Sequence, residues 1–224
     1  MSFDEKRPNI EIDSISAGPA IEGEVSAKSI VLNSSVGKIE CLYHTVSTKQ
    51  HAVVWVWGYA GGYGGPADNL YQSMGEDLVS EGIASLRVHY REPGNLEEAI
   101  LDTIAAAQFL SDEGYTNIAL VGHSFGGAVV ISAAPQAPNV IAVIGLASQT
   151  YGATGAAAIA PRKLLLVHGT NDQRLNCYCS EQIYLWAQKP KELVLYPGAG
   201  HGLREVKTEL RQLLHGWLKN NLIT

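Results

Sequence analysis

Cysteine is scarce in this sequence: three residues in 224, with Cys177 and Cys179 two apart and Cys41 alone. An odd, unpatterned set excludes the disulfide framework of a small secreted domain and fits a reduced, cytoplasmic setting. No second ligand pair of zinc type follows Cys177-Tyr178-Cys179, so no metal is expected there. Charge is sparse as well. Only 17% of residues are Asp, Glu, Lys or Arg, the formal net charge is -6, and no run of lysine and arginine occurs. Nucleic acid and an anionic membrane surface are thereby poor partners. No apolar run approaches the ~18 residues that span a bilayer. The charged start MSFDEKRPNIEID lacks the apolar stretch of a signal peptide.

What remains is apolar: 46% of the residues are hydrophobic, which reads as globular and not disordered. A chain of this length buries roughly 70–75% of its extended surface, enough for a core without staples. Residues 1–20 are polar and read as a loose leader to a single domain over 21–224. Segments 22–33 and 37–47 read as two strands around a turn at Ser34–Gly37. HAVVWVWG (51–58) is a buried strand stopped by glycine. A Gly-rich loop follows, turning helical near Ala67, with Leu70, Met74, Leu78 and Val79 on one face. Strands are then expected at 83–91, 116–122, 140–148, 163–169 and 191–198. Helices are expected at 95–114, capped by Asn95, and at 124–135, 179–188 and 205–218. Strands alternating with helices predict an α/β fold with a mostly parallel sheet of about eight strands, opened by an antiparallel hairpin.

In such a sheet ligands sit beyond the carboxyl ends of the strands. Val121-Gly122 is such an end, so Gly122-His123-Ser124-Phe125-Gly126 puts Ser124 where chemistry is expected. A sharp strand-to-helix turn leaves no room for a Cβ at Gly122 or Gly126. It lifts the hydroxyl above the sheet and aims the first helical amides at any oxygen bound beside it.

Through this G-x-S-x-G elbow the chain resembles the α/β-hydrolase superfamily, over roughly residues 21–222. The resemblance implies a nucleophile, acid and base in the chain order Ser, Asp or Glu, His. After Ser124 the histidines are His168, His201 and His215. His215 falls inside the last helix, and His168 precedes any suitable acid. His201 lies in a loop just past the strand ELVLY. The acids between are Asp172, Glu181 and Glu192; Asp172 alone follows a strand end, in HGTNDQ. The expected triad is Ser124 as nucleophile, Asp172 as orienting carboxylate and His201 as general base. The resemblance places one oxyanion donor at the Phe125 amide and a second in the loop WGYAGGYGG. Members often carry His-Gly in that loop, where this chain has Trp57-Gly58, so Tyr59 is taken for the second donor, with Ala60 next.

Gly62 to Ala67 also fits G-x-G-x-x-A, a dinucleotide fingerprint. It begins several residues beyond its strand, and the following strand ends in RVHYRE with no clean acid for a ribose. No cofactor is expected. Tyr90 and Arg91 end a strand and are candidates for contacting a substrate carboxylate, against the plainer reading of a packed tyrosine and a structural arginine. Tyr63 and Tyr151 are candidate pocket residues. The Gln149–Arg162 connection is too short for a lid domain. This lidless layout resembles the dienelactone-hydrolase-like branch, whose namesakes carry cysteine where this chain has Ser124. The activity implied is hydrolysis of a small ester, thioester or amide through an acyl-enzyme, with short acyl chains preferred. A perhydrolase or lyase on the same triad, or a ligand receptor that kept the pocket, are the competing readings.

Overall fold

The computed structural model describes residues 8–24 and 26–223. Nine strands follow the chain: β1 (Ile12–Ala17), β2 (Lys28–Ser34), β3 (Gly37–His44), β4 (His51–Val56), β5 (Ile83–His89), β6 (Asn117–His123), β7 (Val140–Leu146), β8 (Lys163–Gly169) and β9 (Lys191–Tyr196). They join in one sheet, ordered β1-β2-β3-β5-β4-β6-β7-β8-β9. The first three strands and the β3–β5 pair are antiparallel; every pair from β5 to β9 is parallel. The hairpin turn falls where Ser34 pairs with Gly37, as its sequence predicts.

Side chains alternate between the two faces of a strand, and both faces here are covered. Val54, Val56, Leu86 and Leu120 point into a core shared with α2 (Leu96–Asp112), α3 (Phe125–Ala133) and α4 (Tyr178–Trp186). Val53, Trp55, Ala119 and Val121 point the other way, onto α1 (Pro66–Val79) and α5 (Lys207–Leu222). Burial on both sides is why β4 and β6 read as unbroken apolar runs. Asn95 caps α2 as expected, its side chain accepting the Glu98 N–H.

Two expectations need correction. The segment 1–20 is not loose over its described part. β1 pairs with β2 from Ile12↔Ser34 to Ala17↔Ile30 and adds a ninth strand. Its side chains are largely exposed; backbone pairing holds it, helped by Ile12 against the core and by Asn33 Nδ2 donating to the Ser14 and Ser16 hydroxyls, and no apolar pattern announces it. Residues 1–7 of that segment lie outside the described residues. The second correction concerns the entry to α1. Ala67, Asp68 and Asn69 are left-handed (φ 49, 58 and 64), so regular helix starts only after Asn69. This turn is fixed from outside, because the Ala67 N–H donates to Gly202 O at 2.8 Å. Between β7 and β8 there is one short 3-10 turn, Ala156–Ile159, and no lid.

Candidate active site

β6 ends at His123 and α3 begins at Phe125, leaving Ser124 alone at the corner with φ 59 and ψ -116. A non-glycine residue in that region is strained and persists only when its surroundings enforce it. Here they do. The Ser124 N–H donates to Leu146 O at 2.8 Å, and its own carbonyl accepts from Gly127 N at 3.1 Å. The flanking glycines have a steric basis. A Cβ on Gly122 would lie 2.0 Å from Gly126 O, and one on Gly126 would lie 2.2 Å from Trp57 O. Both obstacles are backbone and have nowhere to move.

The three expected residues meet. Ser124 Oγ is 3.0 Å from His201 Nε2, and His201 Nδ1 is 2.7 Å from Asp172 Oδ2. Each comes from a carboxyl-end loop, after β6, β9 and β8. The other carboxylate oxygen, Asp172 Oδ1, accepts backbone N–H groups from Arg174 at 2.8 Å and Leu175 at 2.9 Å. Burial pushes the Asp172 carboxyl up, but donation from Leu175, His201 and Arg174 outweighs it and leaves the group below its ordinary value. It is therefore an anion fixed in one orientation, which dictates that His201 presents Nδ1–H to it and bare Nε2 to the serine. The loop carrying His201 is pinned on three sides. Glu205 accepts the Gly200 N–H at 3.1 Å, His123 Nε2 donates to His201 O at 2.9 Å, and Ala67 holds Gly202. This is the arrangement of a serine hydrolase that works through an acyl-enzyme.

Residues 50–212 match the Dienelactone hydrolase family. The chain belongs to that family. No match was found among curated proteins. Solved structures similar to this dienelactone hydrolase family member include the dienelactone hydrolase of Anabaena variabilis. It is 20% identical with a TM-score of 0.73, over 88% of this chain and 100% of that one. An esterase domain of a Rhodothermus marinus protein is 20% identical with a TM-score of 0.70, over 88% and 99%. An α/β serine hydrolase homologue from Coxiella burnetii is 19% identical with a TM-score of 0.70, over 90% and 100%. At these identities the likeness establishes the fold.

In this family member the triad opens into a cleft of about 640 Å³, bordered by Trp57, Tyr59, Asn69, Ser124, Arg174 and His201. Tyr59, in the loop after β4, is exposed, and its ring meets Phe125 edge-on at 5.7 Å. The four residues expected to touch substrate do not border the cleft. Tyr90 is only 2% exposed and donates its hydroxyl to Trp57 O at 3.0 Å, so it braces the loop beside the serine. Arg91 is engaged at every nitrogen: its backbone N–H and Nε donate to Asp102, and its two terminal nitrogens to Val36 O and Glu98. It ties the β2–β3 turn to α2. Tyr63 stands half-buried with its ring edge-on to His89 at 5.6 Å. Tyr151 is 75% exposed.

The glycine-rich run has its own explanation. A Cβ on Gly65 would lie 2.5 Å from the Tyr71 ring, so the loop packs flat on α1. Among the described residues no group of His, Cys, Asp and Glu is placed to hold a metal ion, and no helix is long and apolar enough to cross a membrane. Two further histidines stand beside the triad: His123, to which the sequence assigned no role, and His168, weighed there only as a base. His123 lies tilted against the His201 ring at 4.9 Å, and burial takes its pKa down to about 4, so it is neutral. His168 touches Asp172 from behind. Its place in the same short stretch as the acid, HGTND, was the available signal.

Proposed function

We propose that the protein hydrolyses small, water-soluble carboxylic esters, with thioesters and amides open to the same chemistry. The observation that carries this is His201 bridging Ser124 Oγ and Asp172 Oδ2 at 3.0 and 2.7 Å. His201 Nε2 takes the serine proton as Oγ attacks the ester carbon. The imidazolium, steadied by Asp172, then returns that proton to the leaving alcohol, and water repeats the cycle on the acyl-enzyme.

The oxyanion falls to the amides of Phe125 and Tyr59. Phe125 is the first residue of α3, so its N–H has no intrahelical acceptor. Tyr59 sits in a turn closed by Gly61 N–H to Gly58 O at 3.0 Å, which leaves the Tyr59 amide outside the turn's own bond. Close backbone contact between Gly126 and Trp57 O supports keeping the two donors at a fixed separation.

The short β7–β8 connection and a cleft edged by Asn69, Arg174 and His201 favour soluble, short-chain substrates. Three free cysteines suit a cytoplasmic setting. Fluorophosphonate labelling with peptide mapping tests the mechanism. Ser124 takes the label, and Ser124→Ala loses about 10⁴–10⁶ in turnover. A label elsewhere, or undiminished esterase activity in that variant, overturns it. A rate series from acetyl to palmitoyl esters tests the size range; a maximum at long chains with a jump at the solubility limit overturns the short-chain reading.

A further inference from the structure

We infer that His168, with Ser180 behind it, is a positioning residue that extends the triad and tempers the basicity of Asp172. The inference rests on the serine-hydrolase reading of the site. His168 is the penultimate residue of β8 and is fully buried, as is Ser180 on α4. His168 Nε2 lies 3.1 Å from Asp172 Oδ2 and 3.0 Å from Leu175 O. Both neighbours only accept, so Nε2 carries the proton. Ser180 Oγ lies 2.7 Å from His168 Nδ1 and donates to it. A single chain of donors thus runs from α4 through His168 to the carboxylate oxygen that also holds His201.

The charge balance gives this chain a purpose. Asp172 Oδ2 is shared between two imidazole N–H groups, and the second draws charge away from the first. Without His168 the oxygen turns more basic, grips the protonated form of His201 harder, and keeps the base protonated to higher pH. It also loses a fixed contact against rotation about the carboxylate. Burial holds His168 below the ordinary histidine range, which keeps it a neutral donor.

The other charged or titratable groups around the pair stay constant when His168 is replaced. They are His123 from β6, Arg174 from the segment after β8, Cys179 from α4, Arg204 and Glu205 beyond His201, and Asp68 from α1, which pairs with Arg204.

The test uses the full chain, p-nitrophenyl acetate, and kcat/KM from pH 5 to 9 on variants checked for fold by circular dichroism. In His168→Leu kcat falls about 10–100-fold, the loss known for removing the outer hydrogen-bond partner of a metal-ligating side chain, with KM little changed. The acid limb moves to higher pH. Ser180→Ala moves it the same way by less. His168→Gln, whose amide nitrogen takes the place of Nε2, restores most of the rate. Folded His168→Leu and Ser180→Ala with the wild-type acid limb would overturn the inference. If His168→Leu does not fold, Ser180→Ala alone decides. Labelling of wild-type Ser124 separates the two failures: no label removes the serine-hydrolase reading and this inference with it, whereas a label with unmoved limbs removes only the role of His168.

Discussion

A single side chain in this molecule is legible from sequence when its position is fixed by backbone geometry. Ser124 sits between two glycines that no other residue can replace, and His201 and Asp172 sit just beyond strand ends. The chain order implied by the hydrolase resemblance, together with strand position, was therefore enough to find them. Tyr90 and Arg91 also sit at a strand end, but their roles depend on partners distant in sequence that spacing does not reveal: Trp57 for one, Asp102 and Val36 for the other. Two outcomes follow at this scale. Asp172→Asn keeps the fold, because the backbone bonds to Oδ1 need only an acceptor, yet it turns an amide toward His201 and favours the wrong tautomer. Turnover drops by about 10⁴ with an unchanged circular-dichroism spectrum; a loss below tenfold would show that Asp172 does not orient the base. Gly126→Ala drives a methyl into Trp57 O and so displaces the loop that carries Tyr59. Its thermal midpoint falls, and any folded fraction loses kcat more than KM; wild-type values for both would refute the steric account.

Whole elements were readable where an apolar period was strong and obscured where backbone bonding mainly decides. β4 through β9 and α2 follow from their patterns. β1 is exposed on its side chains, and the entry to α1 is bent by a hydrogen bond from Ala67 to a loop 135 residues later, at Gly202. Neither leaves a trace in hydrophobic spacing. The clearest inter-element tie is Arg91, which joins the β2–β3 turn to α2 through the fully buried Asp102 and the partly exposed Glu98. Burial raises the Asp102 carboxyl, and Arg91 offsets only part of that. Removing the arginine strands a buried acid, a change that costs about 3–5 kcal/mol when nothing replaces the partner. Arg91→Ala therefore loses stability on that scale in urea unfolding. Its relative rates on charged and neutral esters stay as in wild type, because the side chain does not border the cleft. A variant of wild-type stability that loses only the charged substrate would return Arg91 to the site.

Across the whole molecule, four of the seven histidines are buried: His44, His51, His123 and His168. Burial lowers all four; for His44 the Arg87 charge adds to it, and His44 and His123 are taken down to about 4. The folded chain therefore resists protons that the unfolded chain accepts from about pH 6.5 downward. Since the unfolded state binds more protons in that window, stability is complete above it and falls as pH drops from about 6.5 toward 4. The slope is about 1.4 kcal/mol per pH unit for each of His44 and His123, and His51 and His168 add in the same direction. The ion pairs that α5 makes with α1 and with the turn after it, Asp77 with Arg211 and Glu81 with Lys219, are solvent-accessible and contribute little. Glu81 is itself held below its usual value, so this pairing survives through the upper part of the window. The decline thus belongs to the core and not to the surface, and added salt leaves it in place. Urea midpoints at pH 7.5, 6.5, 5.5 and 4.5, at low and high salt, measure it. A flat midpoint over that range, or a decline that salt abolishes, would mean that the buried histidines are not what makes the fold acid-sensitive.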